Sequence, residues 1–132
     1  MKISTKGRYA LRIMIDLANQ DPEVYTPLKE ISSRQGISIK YLEQIVPLLT
    51  RAGYLKSLRG NSGGYRLAKL PAEYKVGDIL RTTEGDLAPI ACLEGEKNDC
   101  PRKDACTTLS FWEGLKTVIN DYVDSKTLAD FL

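Results

Sequence analysis

The chain has 132 residues, the size of one domain or of one small domain with an appendage, which excludes large multidomain architectures. Its hydrophobic fraction of 42% and charged fraction of 27% are those of a globular protein and exclude disordered and collagen-like chains. The formal net charge of +2 conceals an asymmetry, because residues 1–70 carry +7 and residues 71–132 carry −5. A basic half fused to an acidic half points to a polyanion-binding module joined to a module of another kind.

The sequence contains no histidine, so Ser-His-Asp triads, Cys-His nucleophile pairs and His-ligated zinc are excluded. Lys, Tyr or carboxylate chemistry is left, but no paired-carboxylate or phosphate-loop motif is present, and the chain does not read as an enzyme. No apolar run approaches the roughly 20 residues of a membrane span, and Met1-Lys2-Ile3-Ser4 is not a signal peptide. The expected compartment is the cytoplasm. Three cysteines cannot all pair within one chain, so ligation or redox chemistry is expected rather than a disulfide framework.

The first helical pattern runs from Thr5 to Gln20, where Ala10, Ile13, Met14 and Leu17 recur on one face. Lys6, Arg8 and Arg12 cluster near its start, and Asp21-Pro22 ends it. Thr26 as N-cap with Pro27 in the first helical position predicts a second helix to about Gln35, stopped by Gly36. Ser38 caps a third helix through about Ala52, with Leu42, Ile45 and Leu49 on its apolar side, Pro47 expected to kink it or loosen its middle turn and Gly53 ending it. Two helices joined by the short turn Gln35-Gly36-Ile37-Ser38 satisfy a helix-turn-helix.

Tyr54–Leu58 and Tyr65–Leu67 read as two strands around the glycine-rich tip Arg59-Gly60-Asn61-Ser62-Gly63-Gly64. A hairpin directly after a helix-turn-helix is a wing. The predicted fold is therefore mainly α with a small β-hairpin wing. Pro71 and the change of charge place a boundary between residues 1–70 and residues 71–132. A short helix is expected over Val76–Thr83. Asp86–Ala105 has little periodicity and carries Cys92 and Cys100; a long helix follows from Cys106 onward, with Leu109, Trp112, Ile119 and Val123 on one side and Leu115, Val118 and Tyr122 beside them. Thr127-Leu128-Ala129-Asp130 resembles a capping box that opens a last, truncated helix.

On a recognition helix starting at Ser38 the first turns enter the major groove. Lys40, Tyr41, Glu43 and Gln44 are the polar side chains there. Glu43 can accept from cytosine and Gln44 can pair bidentately with adenine, while Lys40 and Tyr41 suit phosphates. Arg59 at the wing tip can enter a minor groove, and Gly60, Gly63 and Gly64 let the backbone approach closely. Lys6 and Arg8 are further phosphate candidates. Cys92, Cys100 and Cys106, in or bordering the acidic loop, are suitable ligands for soft metals and iron–sulfur clusters; on spacing alone, three unrelated thiols are the competing possibility.

Three stretches carry a resemblance: Met1–Ala10, Ile37-Ser38-Ile39-Lys40-Tyr41-Leu42-Glu43-Gln44, and Arg59-Gly60-Asn61-Ser62-Gly63-Gly64-Tyr65. They resemble the bacterial winged-helix family that contains the iron–sulfur cluster regulator IscR, the cysteine-metabolism repressor CymR and the nitric-oxide-sensing repressor NsrR, and the similarity extends to the helix through Trp112. The resemblance implies a homodimeric transcription factor whose long helix, about Thr107 to Val123, crosses its partner and which binds a palindromic operator in double-stranded DNA. It implies that Ser38, Glu43, Gln44 and their neighbours read the major groove while Arg59, Gly60 and the wing meet the minor groove. It further implies that Cys92, Cys100 and Cys106 hold an iron–sulfur cluster, 2Fe–2S by resemblance with 4Fe–4S left open, because members of the cysteine-metabolism type lack that triad. Leu109 stands where the iron–sulfur regulators often have a histidine, and Arg8 near where the nitric-oxide sensors have an acidic ligand. The fourth ligand therefore stays open among Asp104, Thr107, Thr108, Glu43, an external thiol and water. A cluster-free regulator of cysteine or sulfur metabolism, controlled by a partner protein or by thiol oxidation, is the alternative.

Overall fold

Ser4 is extended and its hydroxyl accepts the Gly7 N–H at 3.1 Å, which opens the first helix at Thr5. In the computed structural model, which describes residues 1–132, five α-helices and one two-stranded hairpin follow in chain order. They are α1 (Thr5–Ala18), α2 (Leu28–Gln35), α3 (Ile39–Arg51), β1 (Leu55–Leu58), β2 (Gly64–Leu67), α4 (Val76–Glu84) and α5 (Leu109–Ser125), with short 3-10 turns at Pro71–Glu73, Ala91–Leu93 and Leu128–Phe131.

The apolar stripe of α1 is its buried face, since Ala10, Ile13, Met14 and Leu17 all lie in the core. They pack with Ile31, Ile37, Leu42, Ile45, Val46 and Leu49 of the helix-turn-helix. Gly36 ends α2 at φ 66°, a left-handed conformation that glycine adopts without steric penalty. Ser38 opens α3 by accepting the Tyr41 N–H at 3.1 Å. Pro47 does not break α3, which is continuous from Ile39 to Arg51. Pro47 itself is exposed, and the four core residues Leu42, Ile45, Val46 and Leu49 flank it on the buried side, so packing outweighs the one lost backbone hydrogen bond.

Thr26 is not a helix cap. The N-cap of α2 is Pro27, and Thr26 is buried as an extra pairing partner for the wing, its N–H donating to Tyr65 O and its carbonyl accepting from Tyr65 N–H, both at 2.8 Å. An isolated Thr-Pro signal cannot distinguish a cap from an extended residue that finds a strand edge forty residues later. The hairpin pairs antiparallel in the register Leu55↔Leu67 to Leu58↔Gly64. Tyr74 holds its base: the buried phenol donates to Tyr54 O at 2.7 Å and accepts the N–H groups of Ala68 and Lys69 at 2.9 Å each. Burial raises the phenol's pKa, with the two N–H donors pulling the other way.

Beyond Pro71 the chain returns to the same core. Tyr74, Ile79 and Leu128 join the central cluster, and the end of the chain is clipped to the start of α4 by Val76 N–H to Lys126 O at 2.9 Å and Leu128 N–H to Tyr74 O at 3.2 Å. The Thr127–Asp130 signal yields a 3-10 turn in which the Asp130 carboxylate accepts the Thr127 N–H at 2.8 Å. The long helix begins at Leu109 rather than Thr107 and runs to Ser125. No helix is long and apolar enough to cross a membrane.

Candidate DNA-reading face and cysteine loop

Two charged clamps set the geometry of the helices that carry the candidate sites. Asp16 of α1 is buried and receives Arg34 through Nε and Nη2, each at 2.9 Å, and Gln35 Nε2 at 3.0 Å. Arg12, one turn earlier on α1, donates from Nε to Gln35 Oε1 at 3.2 Å and from Nη2 to the Gln35 carbonyl. The end of α2 is thereby held to α1, which fixes the turn from which α3 departs. The Asp16 carboxylate raises the Arg34 pKa, mainly through their hydrogen bond.

On the first turns of α3 the buried residues are Leu42, Ile45 and Val46, while Ser38, Lys40, Glu43 and Gln44 are exposed. Lys40, Glu43 and Gln44 are three of the four polar side chains that the sequence reading set on the first turns of a recognition helix. Tyr41 lies differently: it is half-buried, packs against the core, and meets Tyr9 edge-on with ring centroids 5.4 Å apart. That contact brings the start of α1 beside the start of α3, with the Arg12 guanidinium 5.1 Å from the Tyr9 ring centroid. Arg8 is exposed and Lys6 half-buried on α1. At the far end of the hairpin Arg59 and Gly60 are exposed, Gly60 at φ 106° with its carbonyl accepting the Gly63 N–H at 3.0 Å. Sequence reasoning passed over Ile39, the first residue of α3, which is 43% exposed among those polar neighbours. Its spacing of three to Leu42 and seven to Val46 puts it on the rim of the buried stripe, and the Ser38 cap puts it in the first turn, the place where such a residue is least covered.

The second clamp joins α4 to α5. Arg81 donates to both oxygens of Asp124, at 2.8 and 3.0 Å, and to Asn120 Oδ1 at 2.7 Å. The Arg81 hydrogen bond lowers the Asp124 pKa below the ordinary carboxylate value. An unfolded Asp124 therefore binds its proton at higher pH than the folded one. The clamp is complete above the ordinary carboxylate range and is lost as pH falls through the lowered value. Thermal melts between neutral pH and roughly pH 3 are expected to show a smaller acid loss of stability for Asp124→Asn than for the parent chain; equal losses would remove the clamp from the acid response.

No residue of α5 is buried. Leu109, Trp112, Leu115, Ile119 and Val123 are half-covered by the rest of the chain, whereas Phe111, Val118 and Tyr122 are 64–65% exposed. Phe111, Leu115, Val118 and Tyr122 follow the 4-3-4 spacing of a helix–helix seam. Three of these four are exposed, and a run of exposed apolar residues is the mark of an interaction face.

Between α4 and α5 lies the cysteine loop, residues 86–108, whose only regular element is the turn Ala91–Leu93. Buried Leu87 and Leu93 anchor it. Lys116 of α5 closes over it, donating to the carbonyls of Leu93 and Gly95, the latter at 3.2 Å, with the Asp86 carboxylate 3.9 Å away. Cys92 is half-buried in the cleft that Glu113, Lys116 and Thr117 line. Cys100 is half-buried, its N–H donating to Asn98 Oδ1 at 2.9 Å. Cys106 is exposed, and the Thr108 hydroxyl 3.6 Å from its sulfur, helped by backbone N–H groups at the start of α5, lowers the thiol's pKa. All three thiols are free. Their softness suits iron, but no three Cys, Asp or Glu side chains are gathered closely enough to hold a metal ion. As arranged, the trio does not fit a cluster.

Comparison with known proteins places this geometry. The chain matches the Rrf2 family, described as an iron-dependent transcriptional regulator, over residues 3–132. It is 43% identical over 130 residues to the HTH-type transcriptional regulator CymR of Bacillus subtilis, covering 98% of this chain and 88% of that one. The solved structure of CymR, titled the global cysteine regulator of B. subtilis, superposes with a TM-score of 0.80 at 41% identity, covering 99% of this chain and 95% of that one. A solved structure of T. potens IscR superposes with a TM-score of 0.78 at 43% identity, covering 99% and 85%.

Proposed function

The chain belongs to the Rrf2 family of transcriptional regulators, and from that premise we propose a dimeric, cytoplasmic repressor or dual regulator that reads a palindromic operator with α3 and the wing and is switched through the cysteine loop. The observation that carries this is the pairing of a polar, exposed α3 start, capped by Ser38, with an unpartnered apolar seam on α5. Residues 1–70 do the reading; residues 71–132 do the sensing and pairing. In the dimer the seam of one α5 packs on that of its partner, and the two heads address half-sites about one or more helical turns apart, roughly 34 Å per turn.

Among the candidate contacts, Glu43, Gln44 and Arg59 read bases, and Lys6, Arg8, Lys40 and Tyr41 hold phosphates. Gln44→Ala and Arg59→Ala are each expected to weaken operator binding by about 1–3 kcal/mol. Fluorescence anisotropy against operator and random duplexes checks this: equal losses on both would take the residue out of the base-reading set.

For the sensing half, an iron–sulfur cluster held by Cys92, Cys100 and Cys106, 2Fe–2S by family resemblance, is supported by the presence of all three thiols on one loop and by the family's description as iron-dependent. It requires the loop to close around the iron, since the three thiols are not gathered as a metal site. When bound, the cluster would supply a redox-sensitive centre; what the chain itself contributes is the loop, tied to α5 by Lys116. The absence of a gathered metal site and the exposed Cys106, its pKa lowered, favour a second reading, a cluster-free regulator of cysteine or sulfur metabolism switched by thiol oxidation or a partner protein. Anaerobic purification with iron and sulfide assays and a visible spectrum separates the two. A chain with all three cysteines replaced by Ala is expected to change operator affinity. If no iron is found and that variant binds DNA as the parent does, the loop is not the sensor.

A further inference from the structure

We propose that Ile39 is a specificity residue of the DNA-reading face, recognising the C5-methyl group of a thymine in the major groove; this rests on α3 being the recognition helix. Ser38 caps α3, so Ile39 is its first helical residue, at the end that docks first against base edges. Helical side chains tilt toward the N-terminus, which places the Ile39 side chain at the open end of the stripe that Leu42 and Val46 continue into the core. It is 43% exposed, whereas Leu42, Ile45 and Val46 behind it are buried. Its helical neighbour at i+4 is exposed Glu43, and Lys40 and Gln44 complete a surface otherwise suited to hydrogen bonds.

The thymine methyl is the one apolar group that a base edge presents in the major groove. An aliphatic side chain standing alone among groups that pair with N–H, N and O atoms has that methyl as its complementary contact. Closure of the interface then removes both from water, and discrimination follows from shape and hydration rather than from a hydrogen bond. Glu43 and Gln44 read donors and acceptors, and Ile39 adds a position at which thymine is preferred to cytosine by its methyl.

The experiment uses the full chain and the duplex it selects from a random-sequence pool. Thymines of each half-site are replaced by deoxyuridine, one at a time, which deletes the methyl and leaves every hydrogen-bonding group. The parent chain is expected to lose roughly three- to tenfold in affinity at one half-site position. Ile39→Ala is expected to bind the thymine duplex that much more weakly and to lose nothing further on deoxyuridine at that position, while Ile39→Val retains part of the discrimination. Thermal melting separates a binding effect from misfolding. Full thymine-over-deoxyuridine preference in Ile39→Ala, or no methyl-sensitive thymine in the half-site, would overturn the assignment. Failure of the parent chain to select any duplex over random DNA would instead overturn the DNA-reading role of α3.

Discussion

Arg34→Met is expected to destabilise the chain by about 2–4 kcal/mol, because it leaves the Asp16 carboxylate buried with Gln35 as its sole side-chain partner. The size of the effect comes from asymmetry. Asp16 is enclosed while Arg34 is partly in solvent, so the loss is the desolvation of an uncompensated charge rather than the net strength of an ion pair. Arg34 also lies 3.7 Å from exposed Glu30, a surface contact that adds little. For a chain of this length the melting temperature should fall by on the order of 10 °C. Replacing both partners with apolar residues, Asp16→Leu with Arg34→Met, should recover much of the loss, since no buried charge then remains. A single variant that melts within about 2 °C of the parent would show the carboxylate to be satisfied elsewhere. The consequence for function is direct: α2 docks on α1 through this clamp, and the turn after α2 aims α3.

The second large effect is expected at Gly64, where β2 crosses the residues before α2. A Cβ there would collide with Thr26 C and O and would lie 2.6 Å from Pro27 N, and all of these are backbone atoms that no rotamer change can move. The residue also sits at φ 151°, which side chains rarely adopt. Gly64→Ala must therefore push the wing away from Thr26 and break both 2.8 Å hydrogen bonds to Tyr65, at a combined cost of about 2–4 kcal/mol. Operator affinity should fall together with thermal stability, because Arg59 rides on the displaced hairpin. Unchanged stability with unchanged affinity would show that strand β2 can shift without breaking its bonds to Thr26.

These two sites illustrate how far local signals reach. The stripe of α1, the left-handed Gly36, the Ser38 cap and the glycine-rich wing tip were all legible, because each is a preference of a few adjacent residues for one backbone conformation or one face. Asp16 gave no such signal. An acidic residue on an apolar face is read as a solvated edge until Arg34 and Gln35 are seen to close over it. Thr26 was misread for the same reason: its partner, Tyr65, is distant in sequence. The exposed apolar spacing of α5 was legible as a pattern, but whether it faced its own core or solvent depended on how α4 received the helix through Arg81, Asp124 and Asn120. The close approach of α4 and α5 is likewise tertiary, Gly77 being packed against Asp124, Arg81 and Val123.

By itself, then, the amino-acid order determined the helix-turn-helix, the wing, the basic first half and the presence of three thiols in one acidic loop. Those are properties of neighbouring residues: capping groups, turn glycines, apolar period and charge. The folded chain decided that Tyr41 leans on Tyr9, that Ile39 stands out among polar side chains, that Lys116 fastens the loop to α5, and that the three thiols do not come together as a metal site. Such outcomes follow from which distant surfaces exclude water together, and no short stretch of sequence carries that information.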